Sequence, residues 1–302
     1  MAHDSTSHVW QSLFANLAIA VAKGVAAAVT GSGAMLAETI HTAADCGNQV
    51  LLLVGIRQSR RPPDASHPLG YGRRLYFWSF IVALMLFLGG GVFSVYEGLH
   101  KWGHPEAIES VALAVGILLF SLVLEGWALY GNVVEMGKRR GPIPFFDYLR
   151  MTKDSDLVVV FGENAAAVLG LVFALAAVGA ASATGDPRWD AAGSVAVGAV
   201  LVAVSVFLAV EVESLLIGES ADPDLEAAVA RAAAADPRLR KVYEVIGVQQ
   251  GPGETLCALK VRCDPALTVG ELHDAIEGFE ARLRKDRPGT KWVFIEPDLS
   301  GQ

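Results

Sequence analysis

The chain has 302 residues, 53% of them hydrophobic and only 19% charged, with a net charge of −8. Soluble domains carry about 25% charged residues, so this proportion, with a mean hydropathy of +0.41, excludes a wholly soluble globule. The acidic balance also argues against nucleic acid as a partner, because phosphate recognition needs a basic face.

Six apolar runs are long enough to cross a bilayer, which takes about 20 residues each. The first is about Val9 to Thr30, interrupted only by Lys23. That lysine is close enough to the Gly31 end to snorkel, with a counter-charge role as the alternative. Gly31-Ser32-Gly33 reads as a tight turn. The second run, Met35 to Ile56, contains Glu38, His41, Asp45, Asn48 and Gln49. On a helix, Glu38, His41 and Asp45 fall on one face. Ionisable groups at bilayer depth cost at least ~2.5 kcal/mol each unless they meet water, a partner or an ion. An imidazole and two carboxylates a turn apart suit a divalent metal, zinc above all. The alternative is a polar stripe satisfied by neighbouring helices.

The third run, about Tyr76 to Tyr96, holds Gly89-Gly90-Gly91, where small residues allow another helix to come close. The fourth, about Val111 to Val134, has Glu125 in its middle, either as a proton carrier or as a hydrogen-bonded neutral carboxyl. The fifth, Leu157 to Ala181, carries Glu163 and Asn164, with Asp156 seven residues before Glu163 on the same face. Phe145 to Asp156 is expected to extend that helix beyond the membrane. The sixth is about Ala191 to Val212, entered past Trp189, an interfacial anchor. Arg57, Arg60, Arg61, Arg73 and Arg74 lie in one loop, and Lys138, Arg139, Arg140, Arg150 and Lys153 in another. The opposite side has only Lys101 and Arg188. The positive-inside rule then puts both termini in the cytoplasm. No basic stretch opens the chain, so no cleaved signal peptide is expected.

After Gly218 the composition turns polar. Asp222-Pro223 reads as a helix start, and that helix should run to about Ala235. Val242 to Gln249 is strand-like. Gly251-Pro252-Gly253 is a turn. Thr255, Cys257, Leu259, Val261 and Cys263 alternate with Lys260 and Arg262 on the other face, as in a half-buried strand. Thr268 and Glu271 make a capping box, followed by an amphipathic helix with Val269, Leu272, Ile276, Phe279 and Leu283 on its apolar side. Lys291 to Glu296 closes the sheet. This α-β-β-α-β order suits a thin sandwich with helices on one sheet face. Its open face would favour pairing with a second subunit. The three cysteines, Cys46, Cys257 and Cys263, make no disulfide framework.

These motifs together resemble the cation diffusion facilitators. His67-Pro68-Leu69-Gly70-Tyr71-Gly72-Arg73 looks like that family's loop signature after the second helix. Glu38-Thr39-Ile40-His41 through Asp45 resembles its second-helix pattern. Asp190 to Ser194 resembles the start of its sixth helix, and Leu216 to Ser220 the junction to its cytoplasmic domain. Glu163-Asn164, Phe77-Trp78-Ser79 and Tyr96-Glu97-Gly98 are most similar to the zinc-transporter-nine-like branch. The fold class then expected is an α-helical membrane protein with six transmembrane helices and a cytoplasmic ferredoxin-like α+β domain. Residues 1–217 would form the cation-transport domain and 218–302 the dimerisation and regulatory domain.

The resemblance implies a homodimer, joined through its C-terminal domain and helices, that exports Zn2+ in exchange for H+. Zinc is then cargo, and no cofactor is implied. It implies His41, Asp45 and Glu163 as metal ligands, with Glu38, Asn48, Asn164 or water as the fourth. The fifth helix departs from the pattern, because Asn164 stands where the branch has Asp. Asp64 and His67 match a secondary loop site, but Tyr71 replaces its remaining His, so no tight site is expected there. The family's cytoplasmic domain often holds zinc through several histidines; this one has only His273, and Glu296 and Asp298 occupy the place of a His-x-Asp pair, so dimer packing is the expected role and a weak mixed carboxylate site the alternative. Asp156 and Glu125 would serve the ion and proton path. High Ala and Gly content points to a bacterial inner membrane. The rival readings are an exporter of Mn, Fe or Co, a non-transporting metal sensor or scaffold, and an intramembrane hydrolase. The last would need a His-Glu-x-x-His pair, absent from the sequence.

Overall fold

The computed structural model describes residues 7–30, 33–104, 111–221 and 224–298. The side chains of residues 26, 27, 29, 30, 33–38, 40 and 41 lie outside the described residues, as do Gly31-Ser32 and Asp222-Pro223. The chain divides into two compact units. One runs up to Arg57 and from Leu75 to Glu213; the other comprises Gln58–Arg74 and everything from Ser214 on.

The first unit is helical. Helices α1 (Ser7–Thr30) and α2 (Gly33–Ser59) come first. A third stretch is built from α3 (Arg74–Met85), a π-helical segment (Leu86–Val92) and α4 (Phe93–Gly103). Then come α5 (Val111–Arg140), short α6 (Phe145–Met151), α7 (Ser155–Thr184) and α8 (Arg188–Ile217). Four stretches among the described residues are long and apolar enough to cross a membrane: Arg74–Gly103, α5, α7 and α8. Each is longer than the apolar run that signals it; α5 keeps the start at Val111 and is extended through Lys138, Arg139 and Arg140 at its end.

Glycine sets the closest helix contacts. A Cβ on Gly98 of α4 would stand 2.8 Å from the Val195 backbone nitrogen in α8. One on Gly198 of α8 would stand 2.7 Å from the Val95 backbone nitrogen. Gly91 of the glycine triplet meets Val202 in the same way. Small residues thus do in this pair what the triplet predicts.

One expectation is corrected. Phe145 to Asp156 does not extend the fifth long helix. Its first part, Phe145–Met151, forms the separate α6, Thr152 is extended (φ −68°, ψ 138°), and α7 begins only at Ser155. Asp154 sits just ahead of α7 with non-helical backbone and is held there by Arg139 at 2.8 Å.

The second unit contains α9 (Asp224–Ala234), β1 (Leu239–Gly251), β2 (Glu254–Cys263), α10 (Val269–Asp286) and β3 (Thr290–Asp298). The sheet order is β1-β2-β3, antiparallel between β1 and β2 and parallel between β2 and β3. The β1–β2 turn passes through Gly253 at φ +65°, a left-handed value that favours glycine. Cys257, Leu259, Val261 and Cys263 face inward from β2, against Leu225, Val229, Ala275, Phe279 and Leu283. The three cysteines are free thiols. The capping box is formed, with Thr268 accepting from the Glu271 amide and Glu271 from that of Thr268.

The apolar side of α10 differs from its expected composition. Val269 is 85% exposed, whereas Ala275 is fully buried. The first-turn residue lies outside the core, and the small Ala275 lets the helix come down on it. On the opposite sheet face, Ile246 and Phe294 are exposed. Within this unit the 58–74 loop lies on the end of β1: a Cβ on Gly72 would stand 2.5 Å from the Gln250 carbonyl oxygen. That explains a glycine at the sixth position of the loop signature.

Asp236, between α9 and β1, accepts from the Arg238 backbone nitrogen at 3.1 Å and from its guanidinium at 2.9 and 2.7 Å. The Arg238 hydrogen bonds hold its pKa down to about 2. A depressed carboxyl contributes stability that is complete above its unfolded value of ~3.9 and is lost as pH falls through the folded value. Asp236→Asn is therefore expected to remove part of the acid destabilisation between about pH 4 and about pH 2. Amide exchange of α9 and β1 in the full chain checks this; an unchanged pH profile would count against the pair.

Candidate metal centre

The interior of the first unit is built by α1, α2, α5 and α7. Helix α5 packs on α7, and α1 packs on both. Glu163 is buried on α7. Its Oε2 accepts from Gln49 Nε2 of α2 at 3.2 Å. Asn48 stands beside the same carboxyl, yet Oε1 makes no hydrogen bond. A buried carboxylate oxygen with a vacant lone pair is costly unless a cation or proton comes to it.

Gln49 is one turn along α2 from Asp45, so Glu163 sits one turn from Asp45 in depth. Asp45 is half-buried and within electrostatic reach of both Glu163 and Glu125. Glu125 is buried on α5. Three helices thus direct three carboxylates at one region. The side chains of His41 and Glu38 lie outside the described residues. Among the described residues, no group of three His, Cys, Asp or Glu side chains is arranged to hold a metal ion.

Asn164 is also buried. Its Oδ1 accepts from Ser12 Oγ at 2.9 Å, and its Nδ2 is without a partner. Ser12 in turn accepts from Gln49 Nε2 at 3.4 Å, and Asn16 donates to Gln49 Oε1 at 3.2 Å. Asp156, in the first turn of α7, is buried beside His8.

Sequence reasoning missed α1 as a wall of this region. His8, Ser12, Asn16 and Lys23 are all buried on it. The spacing of four between His8, Ser12 and Asn16 puts them on one helix face, a signal that was legible but outweighed by the alanine-rich background. Lys23 is a second correction. It does not snorkel to solvent: its Nζ donates to Thr42 Oγ1 of α2 at 3.1 Å, and it lies within electrostatic reach of Glu125. A buried acidic cluster supplies the reason, since an ammonium is better placed near carboxylates than dragged along an apolar helix.

In the 58–74 loop, Asp64 is occupied by its own turn. It accepts from the Ser66 and His67 backbone nitrogens at 2.9 Å, from Ser66 Oγ at 2.7 Å and from Tyr71 Oη at 2.6 Å. The hydrogen bonds from Ser66 and Tyr71 hold its carboxyl well below the usual range. His67 bonds Ser66 Oγ through Nδ1 and packs on the Tyr71 ring. These contacts orient a turn. In the second unit, His273 is exposed, and Glu296 and Asp298 are near Lys260 Nζ at 3.7 and 3.5 Å.

Residues 9–217 match the family model described as the cation efflux transmembrane domain. The chain is 40% identical over 224 residues to the mitochondrial proton-coupled zinc antiporter SLC30A9 of Xenopus laevis, covering 74% of this chain and 40% of that protein. It is 35% identical to the human protein of the same name over 237 residues, covering 78% and 42%. The chain thus spans about two-fifths of the length of these curated relatives. The magnetosome protein MamB of Paramagnetospirillum magneticum is 25% identical over 293 residues, covering 96% and 93%. The expected bacterial inner membrane stands against relatives named mitochondrial; what carries over is a multi-pass membrane protein. The family model, the four membrane-length stretches and the two antiporters agree: the chain belongs to the cation efflux family, the cation diffusion facilitators, on its zinc-transporter-nine-like branch.

Proposed function

We propose that the chain is a divalent-cation exporter, with Zn2+ as cargo, driven by proton antiport through alternating access. The observation that carries it is the unpartnered, buried Oε1 of Glu163 in a region that Asp45 and Glu125 also reach electrostatically. A dication satisfies that region where single hydrogen bonds do not. His41, Asp45 and Glu163 are the proposed ligands, with Asn48, Asn164, Glu38 or water as the fourth. The names of the two antiporters support zinc and protons as the exchanged ions.

The mechanism follows from ligand protonation. A ligating imidazole must be neutral and carboxylates ionised, so binding expels protons. His41 is the natural switch, since an imidazole ordinarily titrates near ~6.5. Asp45 and Glu163 supply the charge that holds the ion where the dielectric is low. Exposure to the opposite side lets protons compete the ion off. In this reading α1 and α2 also cross the bilayer, both termini are cytoplasmic, residues 218–302 form a ferredoxin-like domain, and the exposed sheet face around Ile246 and Phe294 pairs two chains. A metal sensor that binds without transport is the rival, because Asn164 replaces an acid.

Proteoliposomes loaded with a pH-sensitive dye test the proposal. Zinc uptake should move protons the opposite way, whereas binding without flux would favour the sensor. Asn164→Asp is expected to keep or raise the flux, because it restores an acid next to Glu163. A severalfold loss would mean that Asn164 serves only to bond Ser12.

A further inference from the structure

We infer that His8 and Asp156 form a second divalent-cation site, a two-ligand staging post at the end of the bundle where α1 and α7 begin. Both side chains are almost fully buried, at 4% and 3% exposure. His8 Nε2 stands 3.4 Å from Asp156 Oδ2. A charge-assisted hydrogen bond would bring them to about 2.7–2.9 Å, and neither ring nitrogen of His8 makes any hydrogen bond. Leaving both nitrogens of a buried imidazole unpaired is costly, so the pocket is built for something that sits between the two groups.

The separation identifies the class of ligand. Zinc bonds imidazole nitrogen and carboxylate oxygen at about 2.0–2.2 Å in tetrahedral geometry. Two ligands of one such ion are therefore about 3.3–3.6 Å apart. The observed gap falls in that range without movement of either side chain. A proton alone would instead draw the pair together. The neighbouring Asp154 is tied to Arg139 at 2.8 Å, which keeps a competing guanidinium away from Asp156. With only two protein ligands and water for the rest, the ion is held weakly, as suits a site from which it must leave.

The position suits transfer inward. Ser12 follows His8 by one turn on the same helix face and bonds Asn164, the residue after Glu163. As a station on the transport path the site rests on the exporter reading; as a binding site it does not.

Equilibrium dialysis of the full chain in detergent against Zn2+ alone, with metal analysis, separates the two. The unaltered chain should hold about two ions. His8→Leu or Asp156→Asn should each remove about one, and Asp45→Ala should remove the other. Unaltered stoichiometry in both His8→Leu and Asp156→Asn overturns the staging site. Unaltered stoichiometry in Asp45→Ala alone overturns the central site and leaves this one standing. Should either single variant fail to fold, the pair His8→Cys with Asp156→Cys places two thiolates at the same gap. It is expected to take up one Cd2+ beyond the other variants, and a folded pair that takes up none refutes the site.

Discussion

Replacing Asp45 with alanine is expected to lower zinc flux into proteoliposomes by at least about a hundredfold. Removing one partner from a buried charged cluster costs about 3–5 kcal/mol, and about 1.4 kcal/mol corresponds to each factor of ten. Asp45 is the described α2 group within reach of both Glu163 and Glu125. At the proposed site, an ion between α2 and α7 would then lose a ligand and a charge together. The measurement is the initial rate of radiozinc uptake under a fixed pH gradient. Flux within a few-fold of the parent protein would mean that the ion passes elsewhere.

Phe279→Ala should destabilise the second unit by about 3–5 kcal/mol, the usual cost of emptying a fully buried aromatic site. Phe279 is completely buried among α9, α10 and the inner sheet face. A domain of this size is worth only about 4–12 kcal/mol in total, so the loss would leave it near its threshold. Cys257 and Cys263 report the change directly, because both are buried free thiols in the same core. Burial raises the Cys257 thiol to about 11, which keeps it unreactive while the core is closed. In the variant, thiol labelling of the full chain should accelerate by orders of magnitude. Unchanged labelling would show that the core does not depend on this ring.

Much of the fold was legible because apolar length and periodicity are local properties. The long helices, the β2 alternation ending at Cys263 and the Thr268–Glu271 box each follow from neighbours in sequence. The helix contact through Gly91 was legible from composition, though its partner Val202 on α8 was not. What escaped depends on distant groups. The break ahead of α7 depends on Arg139 reaching Asp154 from α5. Lys23 turns inward because of Thr42 and Glu125, on two other helices. Val269 is exposed because the core under α10 gathers around Ala275, Phe279 and Leu283 and does not take in its first turn.

The candidate site divides the same way. Asp45 and Glu163 were legible because charge inside an apolar run is conspicuous. Gln49 was not read as the partner of Glu163, nor Ser12 and Asn16 as partners of Asn164 and Gln49, because neutral polar residues are common in such helices and their meaning comes from what they face. Asp64 shows the reverse. Its spacing from His67 matches a metal motif, but its carboxylate oxygens are already engaged within the loop.

The most direct test is to change the ligand atom and read it at the metal. In a chain with Cys46, Cys257 and Cys263 replaced by serine, Asp45→Cys offers sulfur where the carboxylate stood. Zinc X-ray absorption of the loaded protein should then show a sulfur neighbour at about 2.3 Å beside lighter atoms at about 2.0–2.2 Å. A first shell of nitrogen and oxygen alone, identical to that of the chain with Asp45 intact, would place the ion away from Asp45 and contradict the account.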